Sequence, residues 1–279
     1  MNLLQVVKNN RLTAAGAVIL AILFFMALFA PFLAPHDPWH YYQSFLPPSV
    51  DHLLGTNDVG QDIFSELVFA GRVSLSVGFL AALIATFIGV SAGTLAGFRR
   101  GILDNILMGM TDVALVVPAL PLIILISVYI GPGFFNIALV IGLILWPVMA
   151  RVVRSRVLSL RESGYVESAR ALGAGNWWIM TRHVLPNALP IIAAKFVLTL
   201  ASAMLIEASI SFLGLGDPSA KSWGSILHYA FSRGGFIREM WWWYLPPGLL
   251  IGLSIFGLNL INLGFEDKGD PRLKRMLER

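Results

Sequence analysis

The sequence predicts an all-α membrane protein with six transmembrane helices and both termini in the cytoplasm. Three observations carry this. The 279 residues are 57% hydrophobic and only 13% charged, with a mean hydropathy of +0.74, whereas soluble domains average about 25% charged residues; the chain has too little polar surface to cover itself in water. Six stretches reach or approach the roughly 20 apolar residues that cross about 30 Å of hydrocarbon. The basic residues also segregate: fifteen of the twenty fall on the N-terminal side of the membrane and four on the other, with Lys195 left inside a span, the bias expected for cytoplasmic loops. The same composition excludes a disordered chain, a nucleic-acid-binding domain and a disulfide-built scaffold. Without cysteine there is no thiolate metal site and no thiol nucleophile.

The spans read as about 13–33, 74–97, 108–130, 135–150, 188–213 and 244–264 within a single transmembrane domain over 1–279. Lys8 and Arg11 precede the first, but its apolar run is too long for a signal-peptide core and lacks a small-residue cleavage site, so it is a retained helix. Gly89, Gly93 and Gly97 place two overlapping small-xxx-small steps on the second span, which predicts a close helix contact. Pro118 and Pro121 in the third and Pro147 in the fourth remove backbone donors and predict kinks.

The outer segment 34–73 carries Asp37, Asp51, Asp58, Asp62 and Glu66 against a single Arg72, and is expected to fold as a short loop. Within it, Asn57 to Asp62 is faintly like a calcium loop. The bidentate Glu is missing, which leaves a turn and helix cap. Pro38 between His36 and His40 argues against a helical metal pair. The second outer segment, 214–243, shows turn chemistry at Gly214, Gly216, Asp217-Pro218 and Gly234-Gly235, and ends in Trp241-Trp242-Trp243-Tyr244, aromatics that anchor the last span at headgroup level.

Charged groups inside spans are costly and mark candidate sites. Asp112 near the inner end of the third span and Glu207 in the fifth are pathway or gating candidates, with local hydrogen bonding as the alternative role. Lys195 can snorkel to the cytoplasmic interface. Glu207 lies about 120° around the helix from Lys195, so the two cannot pair and Glu207 needs another partner. No catalytic His pair and no Gly-rich loop ending in Lys-Ser or Lys-Thr exists, so this chain is not expected to bind ATP itself.

The long cytoplasmic loop, 151–187, is the informative element. Glu162 to Gly173 reads as a short helix with Tyr165, Val166, Ala169 and Leu172 on one face, stopped by Gly173. Asn176 is positioned to cap a second helix over Trp177 to His183, which Leu185-Pro186 ends before the fifth span. Such a helix-turn-helix can enter a groove on another protein or fold onto its own bundle.

At this loop the residues resemble the EAA loop of permease subunits in bacterial ABC importers. Glu167-Ser168-Ala169, Gly173 and His183-Val184-Leu185-Pro186 keep the pattern's spacing, with Ser168 in place of Ala and His183 in place of Ile. Leu54 to Asp62 resembles the outer-loop motif of dipeptide, oligopeptide and nickel permeases. The stretch Glu207 to Gly216, which includes Ser211, and the following Ser222-Trp223-Gly224 are similar to that branch as well. Asn57, Gln61 and Glu66 stand where the branch commonly has Asp, Arg and Arg, and Phe265-Glu266-Asp267 replaces its usual Leu-Arg-Asp.

The resemblance implies a bacterial inner-membrane permease subunit that forms half of a pathway for di- or oligopeptides, with nickel or a nickel chelate as the alternative cargo. It implies a second homologous permease, two ATPases that carry ATP and Mg, and an extracytoplasmic solute-binding protein as partners, with no cofactor in this chain. It assigns ATPase coupling to Glu167, Ser168, Ala169, Gly173, Ala174, Leu185 and Pro186, and adds Ser211 to the pathway or gating candidates. Two rivals stand outside the class. A membrane-embedded enzyme needs converging His, Asp or Ser groups, which the sequence does not offer, and a self-contained passive channel needs no docking loop.

Overall fold

The computed structural model describes residues 11–266, and helices dominate them. Lys8, the basic residues after 267, and the Asp267 and Asp270-Pro271-Arg272 positions lie outside the described residues. Five helices are long and apolar enough to cross a membrane, and a bent pair makes a sixth candidate.

The chain opens with α1 (Arg11–Leu28) and the short α2 (Ala30–Leu33), divided at Phe29 just before Pro31. Helix α3 (Ile63–Arg99) begins eleven residues ahead of the expected span, because Asp62 caps it: its Oδ2 accepts the Ser65 amide at 2.8 Å. Thirty-seven residues reach about 55 Å, so the helix is longer than the hydrocarbon is thick.

A first difference lies in the third expected span, which bends far more sharply than a kink. It is two helices, α4 (Ile102–Val116) and α5 (Ala119–Ile130), at 90° to one another. Pro118 forces Val117 out of the helical region, to ψ 127°, and Pro121 sits in the first turn of α5 where its missing N–H costs nothing. Helix α6 (Phe134–Arg161) contains Pro147 and extends past the expected end at Ala150.

The small-residue steps do pack helices, and α3 runs parallel to α6, since Gly89, Gly93 and Gly97 meet successively later residues of α6. A Cβ on Gly89 would lie 2.6 Å from Met149 Cβ, one on Gly93 2.5 Å from the Ala150 carbonyl, and one on Gly97 2.9 Å from the Arg154 carbonyl. Backbones therefore touch along this seam.

Helix α7 (Gly164–Ala171) is followed by α8 (Asn176–Ile179), a π-helical turn Met180–Val184, and α9 (Leu185–Phe212). The expected stop at Leu185-Pro186 is a second correction: 176–212 is one continuous rod. The wider π turn lets the helix pass Pro186, which has no N–H to give. Gly175, rather than Asn176, occupies the N-cap position.

A third difference is α10 (Trp223–Ser232), a helix between the expected turns at Asp217-Pro218 and Gly234-Gly235. Ser222 and Ser225 form its capping box, and Trp223, Ile226 and Ala230 are its buried face. The last helix, α11 (Trp241–Glu266), starts at the aromatic run as expected.

The core has three centres. Trp223, Trp243, Ile63 and Met204 gather at one end of the bundle; Phe98, Val153, Val157 and Val166 at the other; and Val77, Ile123, Ile141 and Ile210 between other helix pairs.

Candidate functional site: a helical arm and the ion pairs behind it

Helix α7 is held on one side only. Val166 is fully buried against Val157, Leu160, Ile179 and Val184, with Ala169 and Ala174 partly covered beside it. Its end is a complete C-cap: the Ala174 amide bonds the Ala169 carbonyl and the Gly173 amide bonds the Arg170 carbonyl, both at 3.0 Å, around Gly173 at φ +84°. The left-handed position expected of Gly173 is there, and nothing lies within 4 Å of where its Cβ would stand.

Two expected positions are corrected: Tyr165, expected on the face of Val166, is exposed. Leu172 does not share the buried face; it is 88% exposed, as is Trp177 at 71%. The C-cap turns the chain after Ala171 and carries Leu172 away from Val166. Glu167 and Ser168 are also exposed, Leu185 is half-buried and Pro186 exposed. The arm therefore presents an apolar tip flanked by Glu167 and Ser168.

Behind the arm, the last three turns of α6 are tied to α3 and α4. Arg154 grips Asp104 through two parallel hydrogen bonds of 2.5 and 2.7 Å. Arg151 reaches Asp112 at 2.5 Å, Arg161 donates to the Phe98 carbonyl at 2.7 Å, and Arg100 pairs with Glu162. The Arg154–Asp104 fork is largely covered, whereas Arg151–Asp112 is more than half exposed on both sides. Exposed pairs contribute about 0.2–1 kcal/mol and covered bidentate ones more, so Arg154–Asp104 is the stronger tie. Asp112 thus sits in an ion pair with α6 that the sequence reading did not foresee.

Glu207 and Ser211 lie at the other end. Glu207 is buried on α9 and its Oε1 accepts from the Ser211 hydroxyl at 2.8 Å, while Oε2 has no hydrogen-bond partner. Ser74 and Ser222 stand beside the carboxyl. The Trp223 amide bonds Ser74 Oγ at 3.1 Å, and a Cβ on Gly224 would meet the Ala208 carbonyl at 2.5 Å. These contacts form a tight knot between α3, α9 and α10. Lys195 is half-buried on α9.

In the segment before α3, Asn57 Oδ1 accepts the Val59 and Gln61 amides at 3.0 and 2.8 Å around Gly60 at φ +88°. The turn and cap reading of Asn57 to Asp62 describes it well. His36, His52 and Asp62 place ligand-type atoms within 4.8 Å of one another, but they hydrogen-bond among themselves and to the chain. His36 Nε2 donates to the Asp51 carbonyl at 2.7 Å, Tyr42 Oη bonds His36 Nδ1 at 3.2 Å, and Asp62 accepts from His52 at 2.9 Å and from Ser65. Asp217, after α9, accepts the Phe134 amide at 3.1 Å. The Ser219 hydroxyl at 2.6 Å holds the Asp217 carboxyl below the usual carboxylate range, and the Ser219 and Phe134 amides add to this.

With this geometry in place, comparison with known proteins is decisive. Residues 85–275 match the model of the family described as the inner membrane component of binding-protein-dependent transport systems. The chain belongs to this family. Residues 3–48 match the N-terminal transmembrane domain of oligopeptide transport permease C.

Among curated relatives of this permease, the dipeptide transport system permease protein DppC of Bacillus subtilis is 36% identical over 96% of this chain and 84% of its own length. The probable D,D-dipeptide transport system permease protein DdpC of Escherichia coli is 35% identical over 97% and 91%. The oligopeptide transport system permease protein OppC of Bacillus subtilis is 34% identical over 96% and 88%. In fold, the permease resembles a chain of the inward-facing MetNI methionine ABC transporter, with a TM-score of 0.56 at 20% identity over 71% of this chain and 96% of that one. The protein is a multi-pass inner-membrane transport component rather than an enzyme, and its family implies ATPase and binding-protein partners.

Proposed function

We propose that this permease, paired with a second homologous subunit, forms half of the translocation pathway of an ATP-driven importer for di- or oligopeptides. Relatives named for dipeptides and oligopeptides support the cargo, since they match nearly the whole chain. Both termini lie in the cytoplasm in this reading. The α4–α5 pair counts as one crossing because it leads from Asp104, tied to the arm end by Arg154, to Phe134, tied to Asp217 at the opposite end. That makes six crossings in one transmembrane domain.

The observation that carries the mechanism is the one-sided arm. Val166 anchors α7 to α6 while Leu172, Trp177, Glu167 and Ser168 face outward at the same end. An apolar tip on a helix held by its own bundle fits the groove of another protein. In this reading α7 docks on an ATPase, with Ala169, Gly173, Ala174, Leu185 and Pro186 shaping the turn and the rod that follow. ATP-driven closure of the two ATPases, which carry the ATP and Mg, moves the arm. Because α7 is packed on α6, and Arg151 and Arg154 tie α6 to α4, the displacement passes to the bent α4–α5 pair as a rigid-body shift. Peptide arrives at the opposite end from the solute-binding protein. Glu207 and Ser211 brace that end by bonding within it.

Gly173→Val tests the arm. A β-branched residue at φ +84° is strained by more than the roughly 1–2 kcal/mol an ordinary L-residue carries there. Assembly with the second permease should survive, whereas peptide uptake and binding-protein-stimulated ATP hydrolysis should be abolished. Normal transport by the variant would remove the arm from the mechanism.

A further inference from the structure

Asn57, Gln61 and Glu66 of the first outer segment meet in space. Asn57 Nδ2 donates to Gln61 Oε1 at 3.3 Å and to Glu66 Oε2 at 3.1 Å. Lys221, from the segment after α9, donates to Gln61 Oε1 at 2.8 Å and pairs with Glu66.

This network floors a cavity of about 300 Å³. Trp39, Tyr41 and Val59 wall it on one side, Tyr229 and Arg233 on the other, and every lining residue belongs to the two segments read as outer. Arg233 Nη1 donates to Asp58 Oδ2 at 2.6 Å and its guanidinium lies 4.6 Å from the Tyr229 ring. A guanidinium has five N–H donors, so Arg233 keeps donors for an incoming acceptor beyond the bond to Asp58. Trp39 and Tyr41 are 49% and 66% exposed at the mouth. Trp, Tyr and Arg in a pocket are the residues that concentrate binding energy at protein interfaces.

We propose that this pocket is the specificity contact for the extracytoplasmic solute-binding protein, receiving a loop of that protein that presents a carboxylate to Arg233. The inference rests on the importer reading and on the outer placement of these segments. A soluble partner fits better than a transported peptide, because no lining residue comes from a membrane-crossing length. Lys221 and Asp58 are themselves held by Gln61, Glu66 and Arg233, so the floor of the pocket is fixed before a partner arrives.

The test measures ATP hydrolysis by the reconstituted complex against the concentration of peptide-loaded solute-binding protein. Two variants are compared with wild type: Tyr41→Ala, which removes an exposed ring, and the exchange Asp58→Arg with Arg233→Asp, which keeps an internal ion pair but reverses its polarity. Both should raise the half-saturating concentration by about tenfold, the effect of losing one interface anchor, with basal hydrolysis and the plateau unchanged. Wild-type half-saturation in both variants would reduce the pair to an internal tie and overturn the proposal. A change in peptide preference at unchanged half-saturation would make the pocket a substrate subsite and overturn it equally. A wild-type complex that ignores every binding protein would sink the importer reading, and the pocket with it.

Discussion

Replacing Gly93 with Leu drives a side chain into the seam that connects the arm to the rest of the bundle. A Cβ there would stand 2.5 Å from the Ala150 carbonyl, 2.9 Å from Val153 Cβ and 3.0 Å from the Arg154 amide. Two of the three neighbours are backbone, so no rotamer change relieves the clash and the helices must separate. Overpacking of this kind costs about 1–3 kcal/mol, and the helix-propensity gain on leaving Gly returns only about 0.5–1. Separation also displaces Arg154, whose fork on Asp104 needs both hydrogen bonds aligned. The net expectation is a loss of about 1–2 kcal/mol together with weaker coupling. Gly109→Leu on α4 is the control, because nothing lies within 4 Å of its Cβ position. Thermal denaturation of the detergent-solubilised complex should show a lowered midpoint for Gly93→Leu and none for Gly109→Leu. Equal midpoints would refute the claim that the α3–α6 seam has no room.

Three further outcomes follow from the same geometry. Glu207→Gln keeps an acceptor for the Ser211 hydroxyl and should transport, whereas Glu207→Leu strands that donor at a cost of about 1–3 kcal/mol; equal uptake by both variants would show that the bond does not matter. In the cysteine-free chain, single Cys residues at Ser49 and Ser219 should react with an impermeant thiol reagent from outside intact cells while Cys at Ser159 should not, and external labelling at Ser159 would reverse the orientation. Because the Asp217 carboxyl is held below its ordinary range, its contribution is fully present above the ordinary carboxylate pKa and is lost as pH falls through its lowered value. The stability gap between wild type and Asp217→Ala should therefore persist from about pH 7 to about pH 4 and close below it; a gap that persists in stronger acid would assign it to packing instead.

What could be read in the sequence was local. Gly89, Gly93 and Gly97 announced a helix contact because only glycines let backbones approach that closely, and Gly173 announced a left-handed helix end. The bend at Pro118 was visible as a kink but not as 90°, since the angle depends on what the second half packs against. Helix α10 was hidden by glycines on both sides and Pro218 ahead of it, although Ser222 and Ser225 and the spacing of Trp223, Ile226 and Ala230 were its signature. Leu172 was placed on the wrong face because the periodicity was carried one residue past the point where the C-cap turns the chain. The Arg154–Asp104 and Lys221–Glu66 pairs were beyond reach: 50 and 155 residues separate the partners, and the basic residues registered only as a bias in charge.

The central claim is that α7 and its tip couple the spans to an ATPase, and crosslinking tests it most directly. With single Cys residues at Ala169 or Leu172 and partner Cys residues on the ATPase surface, the assembled complex should form a permease–ATPase crosslink whose yield changes when ATP is added. If Leu172 forms no crosslink to any ATPase, and instead joins only cysteines of its own chain, the arm is a surface loop folded on its bundle and the account is contradicted.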